Sequence, residues 1–163
     1  MSDEGGTPFL AKLLVGVEGS ADAERAIGWA ARLAATTGAE VVVVHVLTFD
    51  RELVRDGSLD TMTTWRHDLR RDLGSTWVAT LLKRGTKHRC ELVEAPSAAA
   101  GILEVAERED VDLIIIGPRH HNVVADRLLG STASRLMHHS TRPVALVPQR
   151  DVPDDEAREP GSK

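Results

Sequence analysis

The sequence predicts an α/β fold, with one five-stranded, mainly parallel sheet carrying helices on both faces in a Rossmann-like arrangement. Short apolar runs of strand length alternate along the chain with segments whose apolar residues recur every three or four positions. The run from Val41 to Leu47 is almost continuously β-branched, which is typical of a central parallel strand covered on both faces. Strands that alternate with helices form parallel sheets with right-handed crossovers.

Composition predicts one ordinary soluble domain, because the chain has 163 residues, of which 42% are apolar and 28% charged. We expect the domain to span residues 9–148, between a disordered N-terminus (1–8) and a disordered charged tail (149–163). No apolar run approaches the ~20 residues of a membrane span, and the net charge of -5 argues against nucleic-acid binding. A single cysteine, Cys90, fits a reducing cytoplasm, which is the expected location.

Five strands are predicted from the apolar runs and the turn residues that bound them. They are Phe9 to Val17, Val41 to Leu47, His88 to Val93, Val111 to Ile116, and Val144 to Val147. The last strand is bracketed by prolines, which indicates the edge of a sheet.

Four helices are predicted between these strands. The first follows the N-cap Ser20 and ends at Gly38, and the third begins at Pro96-Ser97. The fourth runs from Ser131 to Ser140, with Leu136 and Met137 facing inward. The second carries an apolar stripe that we interpret as core rather than as a ligand-binding surface, with a weak point at Gly74-Ser75. The stripe consists of Met62, Trp65, Leu69, Leu73, Trp77 and Leu81.

The segment from Asp112 to Thr132, DLIIIGPRHHNVVADRLLGST, has the chemistry of a phosphate-binding loop. Gly117 ends a buried strand and allows a ligand to approach the backbone, and Gly130-Ser131-Thr132 begins a helix whose free N–H groups can bind an anion. From Gly117 to Arg142 the chain has four arginines and one acid, so it carries +3 with histidines neutral, against -8 for the remainder. Functional sites of such folds lie at the carboxyl ends of the strands, where Glu18 also falls and can accept hydrogen bonds from ribose hydroxyls.

The chain resembles the universal stress protein family over roughly residues 12–148. The resemblance is carried by LLVGVEGS, by the valine run ending in His45-Val46, by the helix start at Pro96, and by VDLIIIG, LLGSTASRLM and RPVALVP. It implies a sheet with strand order 3-2-1-4-5. It also implies a homodimer that pairs the last strand, here Val144, Ala145, Leu146 and Val147, across a two-fold axis.

In the ATP-binding members that the chain resembles, an acid after the first strand holds the ribose, and the backbone beside a second-strand valine contacts the adenine. A motif of glycine, two residues, glycine, nine residues and glycine with Ser or Thr surrounds the phosphates. The resemblance therefore implies a stress-response protein that binds ATP or another adenine nucleotide, with Mg²⁺ only if ATP binds, and that acts through regulated association. The residues implied in nucleotide binding are Gly16, Val17, Glu18, Val46, Ile116, Gly117, Arg119, His120, Gly130, Ser131 and Thr132.

Two positions depart from the family pattern. Glu18 stands where the family usually has Asp, and His120 stands where the motif has its middle glycine. The imidazole of His120 would either obstruct the phosphates or, when protonated, donate to them. The alternative function is therefore a dimeric interaction module of the same fold that binds no nucleotide.

Two further classes of function are weighed against these. The chain has no nucleophile elbow and no Walker-type motif, and Cys90 lies in a strand without a catalytic signature, so we expect no enzyme, with slow ATP hydrolysis left open. The pairs His120-His121 and His138-His139 could bind a metal only if one member of each pair converged, because adjacent side chains point in different directions. No metal site is therefore predicted.

Overall fold

The computed structural model describes residues 9–48, 59–118 and 130–148, and it describes the backbone but not the side chains of residues 59–62. The described residues form one parallel sheet in the order β3-β2-β1-β4-β5, as the family resemblance implies. Its strands are β1 (Lys12–Gly16), β2 (Glu40–Thr48), β3 (His88–Ala95), β4 (Leu113–Ile116) and β5 (Val144–Leu146). The described helices are α1 (Ala21–Thr37), α2 (Leu59–Gly74), α3 (Ala79–Lys83), α4 (Ala98–Arg108) and α5 (Ser131–His139).

The sheet has an apolar layer on each face, which explains the unbroken apolar runs of its central strands. Alternate residues such as Leu13 and Val43 pack with α1 and α3 on one face. Their neighbours Leu14 and Val42 pack with α4 and α5 on the other face. All four side chains are fully buried. The predicted α/β fold with helices on both faces is confirmed.

Helix ends follow the capping residues seen in the sequence. Ser20 and Ser97 are N-caps whose hydroxyls accept the N–H of Ala23 at 3.1 Å and of Ala100 at 3.2 Å. Gly38 ends α1 in the left-handed conformation, with φ of 73°. The starts of α1 and α4 are thereby fixed, and both lie at the carboxyl edge of the sheet.

The structure corrects the prediction of a single helix between β2 and β3. The chain leaves the helix after Gly74, where the Ser75 hydroxyl donates to the Arg71 carbonyl at 2.6 Å, and the short helix α3 begins after a turn of four residues. The predicted weak point is therefore a complete break. The hydroxyl of Ser75 and the glycine beside it both favour this departure from the helix.

Two further details differ from the sequence prediction. Met137 is 57% exposed rather than directed inward, whereas Leu136 beside it is fully buried. β1 and β4 begin later than predicted, at Lys12 and Leu113, and the Asp112 side chain accepts the backbone N–H groups of Ala11 and Lys12 at 2.7 and 2.8 Å. The predicted disordered ends, residues 1–8 and 149–163, lie outside the described residues. No helix in the described ranges is long and apolar enough to cross a membrane.

Candidate functional site

A pocket of about 520 Å³ lies at the carboxyl ends of β1, β2 and β4. This volume falls within the range of about 300–1,000 Å³ that is usual for small-molecule sites. Helices α2, α4 and α5 complete its walls. The lining residues are Gly16, Val17, Glu18, Val44, His45, Val46, Leu47, Thr48, Trp65, Ala98, Ile102, Ile116, Gly117, Gly130, Ser131, Thr132 and Ala133.

The turn after β1 presents Glu18 to this pocket. Ser20 donates its hydroxyl hydrogen to the Glu18 carboxylate and accepts the N–H of Ala23, so one side chain caps α1 and orients the acid. Gly19 between them has φ of 80°, and a Cβ there would lie 2.7 Å from the indole of Trp77. Only glycine fits this position, both by backbone conformation and by space.

His45 ties the same turn to β2. Its Nδ1 lies 2.7 Å from the carbonyl oxygen of Val17, and its ring meets Trp77 edge to face with centroids 5.1 Å apart. The N–H of Val17 donates to the Val44 carbonyl at 2.9 Å. These contacts fix the backbone on which Glu18 stands. His45 is therefore a positioning residue as well as part of the pocket lining, a role that its place in an apolar strand did not reveal.

Two glycines allow the helices around the pocket to pack closely. A Cβ on Gly117 would lie 2.5 Å from the backbone oxygen of Asp22 in the first turn of α1. A Cβ on Gly101 of α4 would lie 2.7 Å from both methyl groups of Val46. The sequence analysis predicts that Gly117 lets a ligand approach the backbone. In the structure, the backbone of Asp22 in α1 occupies the space that a Cβ on Gly117 would need.

The amino terminus of α5 forms the opposite end of the pocket. Gly130 is its N-cap and supplies no side-chain hydrogen bond, and the first turn contains no acidic residue. The N–H groups of a first helical turn have no intrahelical partner and carry the positive end of the helix dipole. With the hydroxyls of Ser131 and Thr132 beside them, these groups suit an anion.

Nine of the eleven residues implied in nucleotide binding line this one pocket, all except Arg119 and His120. Those two lie outside the described residues, so their roles, including the question of obstruction by His120, remain predictions. The predicted dimer edge, Val144 to Val147, is at the border of the sheet next to β4 and away from the pocket. Sequence reasoning missed Trp65, which it assigned to the core, and Ala98 and Ile102 of α4, whose spacing on that helix was the available signal.

Other candidate chemistry receives no support from the described residues. They contain no group of three or more His, Cys, Asp or Glu side chains able to hold a metal ion. Cys90 is half-buried and lies 3.6 Å from the carbonyl of Leu73, and burial raises the pKa of its thiol. A thiol held in its neutral form is a poor nucleophile.

Comparison with known proteins gives a consistent match. The model of the universal stress protein family matches residues 10–148. A universal stress protein of Mycolicibacterium smegmatis is 22% identical over 91% of this chain and 51% of its own length. One from Mycobacterium tuberculosis is 41% identical over 54 residues, which cover 33% of this chain and 18% of that protein. The chain thus spans about half, or less, of the length of the curated relatives that it matches.

Solved structures match the whole fold. A universal stress family protein from Burkholderia pseudomallei has a TM-score of 0.67 at 26% identity, covering 88% of this chain and all of that one. The Archaeoglobus fulgidus universal stress protein in complex with dAMP has a TM-score of 0.62 at 23% identity, covering 86% and 98%. A universal stress protein in complex with cAMP has a TM-score of 0.65 at 19% identity, covering 85% and 97%.

Proposed function

This chain belongs to the universal stress protein family, and we propose that it binds an adenine nucleotide, ATP foremost, and acts through association regulated by that nucleotide. The observation that carries the proposal is the pocket itself. An anion-binding helix terminus, a carboxylate and an apolar strand end lie along one cavity of about 520 Å³. Those are the three kinds of surface that phosphate, ribose and base require.

The order of the strands sets the order of these surfaces. β4, which leads towards α5, and β2 are the two neighbours of β1, which carries Glu18 into the central turn. Neighbouring strands are roughly 4.8 Å apart, so the two outer strands are separated by about 10 Å. A nucleotide laid across the three strand ends would place its phosphates at Ser131 and Thr132, its ribose at Glu18 and its base at Val46.

The relatives support the choice of adenine nucleotides. Two proteins of the same fold are described in complex with dAMP and with cAMP, which share the adenine base and one phosphate. We name ATP foremost because the Gly130-Ser131-Thr132 terminus offers helix N–H groups and two hydroxyls that suit a phosphate chain. Mg²⁺ would accompany ATP. We assign no catalytic step to the chain.

A cytoplasmic homodimer formed through β5 is the assembly that we propose for this activity. β5 is an edge strand whose three residues are all half-buried, and its outer side can pair with another strand. Regulation would then consist of nucleotide occupancy changing how the dimer meets a protein partner.

The experiment that tests nucleotide binding begins with the protein as purified. Heat precipitation and chromatography of the supernatant would reveal a co-purified adenine nucleotide, and titration calorimetry with ATP, AMP and cAMP would measure affinity. We expect Glu18→Ala to lower the affinity by roughly tenfold to a hundredfold, as for loss of hydrogen bonds to a charged acceptor. Glu24→Ala is the matched control, since Glu24 is an exposed acid of the first turn of α1 outside the pocket.

Absence of co-purified nucleotide, together with no binding at millimolar ATP, AMP and cAMP, would contradict the proposal. The alternative function, a dimeric interaction module that binds no nucleotide, would then explain the chain better. Equal losses in Glu18→Ala and Glu24→Ala would show that the pocket carboxylate has no specific role.

A further inference from the structure

Trp65 is the exposed residue among the described side chains of its apolar stripe. Leu73 and Leu81 are 2% and 0% exposed, whereas Trp65 is 43% exposed and lines the pocket. A large indole left in partial contact with water forgoes much of the hydrophobic stabilisation that burial of an aromatic ring provides. Because Trp65 lines the pocket, a bound ligand could cover part of this exposed surface.

The pocket is polarised, and Trp65 stands at its apolar end. The anion-binding terminus of α5 follows β4 on one side of β1, and the carboxyl end of β2, with Val46, Leu47 and Thr48, lies on the other side. Helix α2 contributes Trp65 to the same lining. The next residue, Arg66, forms an ion pair with Glu94 of β3, which is the register partner of Leu47, so this part of α2 lies at the β2 end of the pocket.

We propose that Trp65 forms the aromatic wall of the nucleobase subsite, stacks on the base and makes the site prefer purine over pyrimidine nucleotides. The inference rests on the proposed nucleotide binding and adds the residue that selects the base. Stacking on an aromatic side chain requires only a π-face, so every base can use it. A two-ring purine covers more of an indole than a one-ring pyrimidine, and the preference follows from that difference in buried area.

The test compares ATP and CTP binding by calorimetry in the full chain and its variants. Trp65→Ala is expected to lower ATP affinity roughly fivefold to a hundredfold, since base stacking on an aromatic residue is worth about 1–3 kcal/mol. The affinity ratio of ATP to CTP should shrink towards one. Trp65→Phe keeps an aromatic ring and should keep most of the affinity and of the ratio.

Leu82→Ala is the matched control, because Leu82 is also a large apolar residue, 53% exposed, on the adjoining α3 and outside the pocket lining. It should leave both affinities unchanged. A second readout is fluorescence, in which ATP should quench the tryptophan emission of the wild type more than that of Trp65→Phe, which retains Trp29 and Trp77.

The outcomes separate this inference from the proposed function. A wild type that binds no nucleotide would overturn both. ATP binding that is undiminished in Trp65→Ala would overturn only the role of Trp65 and leave nucleotide binding standing. Equal losses in Trp65→Ala and Trp65→Phe, or an unchanged ratio of ATP to CTP in Trp65→Ala, would overturn it as well, because stacking and its purine preference would not be the cause.

Discussion

Gly117 is constrained by packing against α1 independently of any ligand. Its missing Cβ makes room for the backbone of Asp22, which would otherwise lie 2.5 Å from that atom. The first turn of α1 follows directly from the turn that carries Glu18, so this contact joins β4 to that turn. A glycine that sequence reasoning linked to phosphate approach is thus also part of the framework that positions the acid.

We therefore predict that Gly117→Ala destabilises the protein by about 1–3 kcal/mol, the usual cost of forcing an extra carbon into a packed site. Backbone atoms of Asp22, rather than a flexible side chain, would have to move. Gly28→Ala is the matched control, since Gly28 lies inside α1 with its nearest neighbour at 3.9 Å. It should stabilise by about 0.5–1 kcal/mol through helix propensity. Urea unfolding measures both, and equal effects of the two variants would refute the packing argument.

A second residue-scale prediction concerns His45. His45→Ala removes the contact with the Val17 carbonyl and the edge-to-face contact with Trp77, and should cost about 2 kcal/mol of unfolding free energy. Because the Glu18 turn loosens, nucleotide affinity should fall as well.

The matched control for His45 is His88→Ala. His88 is half-buried and its Nδ1 lies 2.7 Å from the Thr86 carbonyl, but it is not part of the pocket lining. It should therefore lower stability without lowering affinity. Denaturant titration and calorimetry on the same preparations separate the two effects. A His45 variant that unfolds more easily but binds nucleotide with full affinity would reduce His45 to a structural residue.

At the scale of elements, the amino terminus of α5 presents a conflict between stability and binding. Its N-cap Gly130 has φ of -62° and ψ of 161°, an extended conformation that any residue can adopt. Ser, Thr, Asn and Asp are favoured at such positions because their side chains bind the first N–H groups. A residue without a side chain leaves those groups to a ligand.

Gly130→Asp should therefore stabilise the nucleotide-free protein by a few tenths of a kcal/mol up to about 1 kcal/mol, through capping and the helix dipole. The same carboxylate would repel phosphates and occupy their donors, so affinity for ATP should fall by at least about tenfold. Thermal unfolding and calorimetry measure the two quantities. Gly130→Ala, which adds a side chain without a charge or an acceptor, should show neither the stabilisation nor the full loss of affinity. Unchanged ATP binding in Gly130→Asp would place the phosphates elsewhere.

The elements themselves were largely readable from the sequence, because their signals are local. Helices α1 and α4 begin at the N-caps Ser20 and Ser97, and α1 ends at Gly38, as the chemistry of these residues predicts. The β-branched run of residues 41–47 forms the central strand β2. The sequence predicted a weak point at Gly74-Ser75 but not a complete break, because the same residues are found at kinks and at helix ends. Strand order came from family resemblance and not from any local pattern.

Those site residues that directly follow the ends of strands could be predicted from the sequence. Glu18, Val46 and Gly117 met in one pocket because parallel strands end at the same edge. Trp65 and Met137 were assigned wrongly because helical spacing defines a face, whereas the depth of the neighbouring layer decides which part of that face is covered. The packing roles of Gly101 and Gly117 depend on distant backbone and side chains and have no local signal.

At the scale of the whole molecule, the two borders of the sheet differ. β3 has eight residues that pair along their whole length with β2, and β5 has three, which among the described residues pair with β4 alone. The N–H of Val147 and the carbonyl of Pro143 bond to β4, at Ile116 and Ile114. Because backbone groups alternate in direction along a strand, those of Val144 and Leu146 face the outer side of the sheet. They are the groups that a second copy would meet.

The proposed dimer gives the last prediction. Light scattering after gel filtration should yield twice the 17.7 kDa of one chain for the wild type. Val144→Pro removes one outward N–H at the first residue of β5, a position where proline is tolerated, and should shift the mass to that of the monomer. Val144→Ala trims the side chain but keeps the N–H, so it should remain dimeric. Circular dichroism checks that both variants are folded. A folded Val144→Pro that stays dimeric would exclude pairing through the outer side of β5, and the association would have to use another surface.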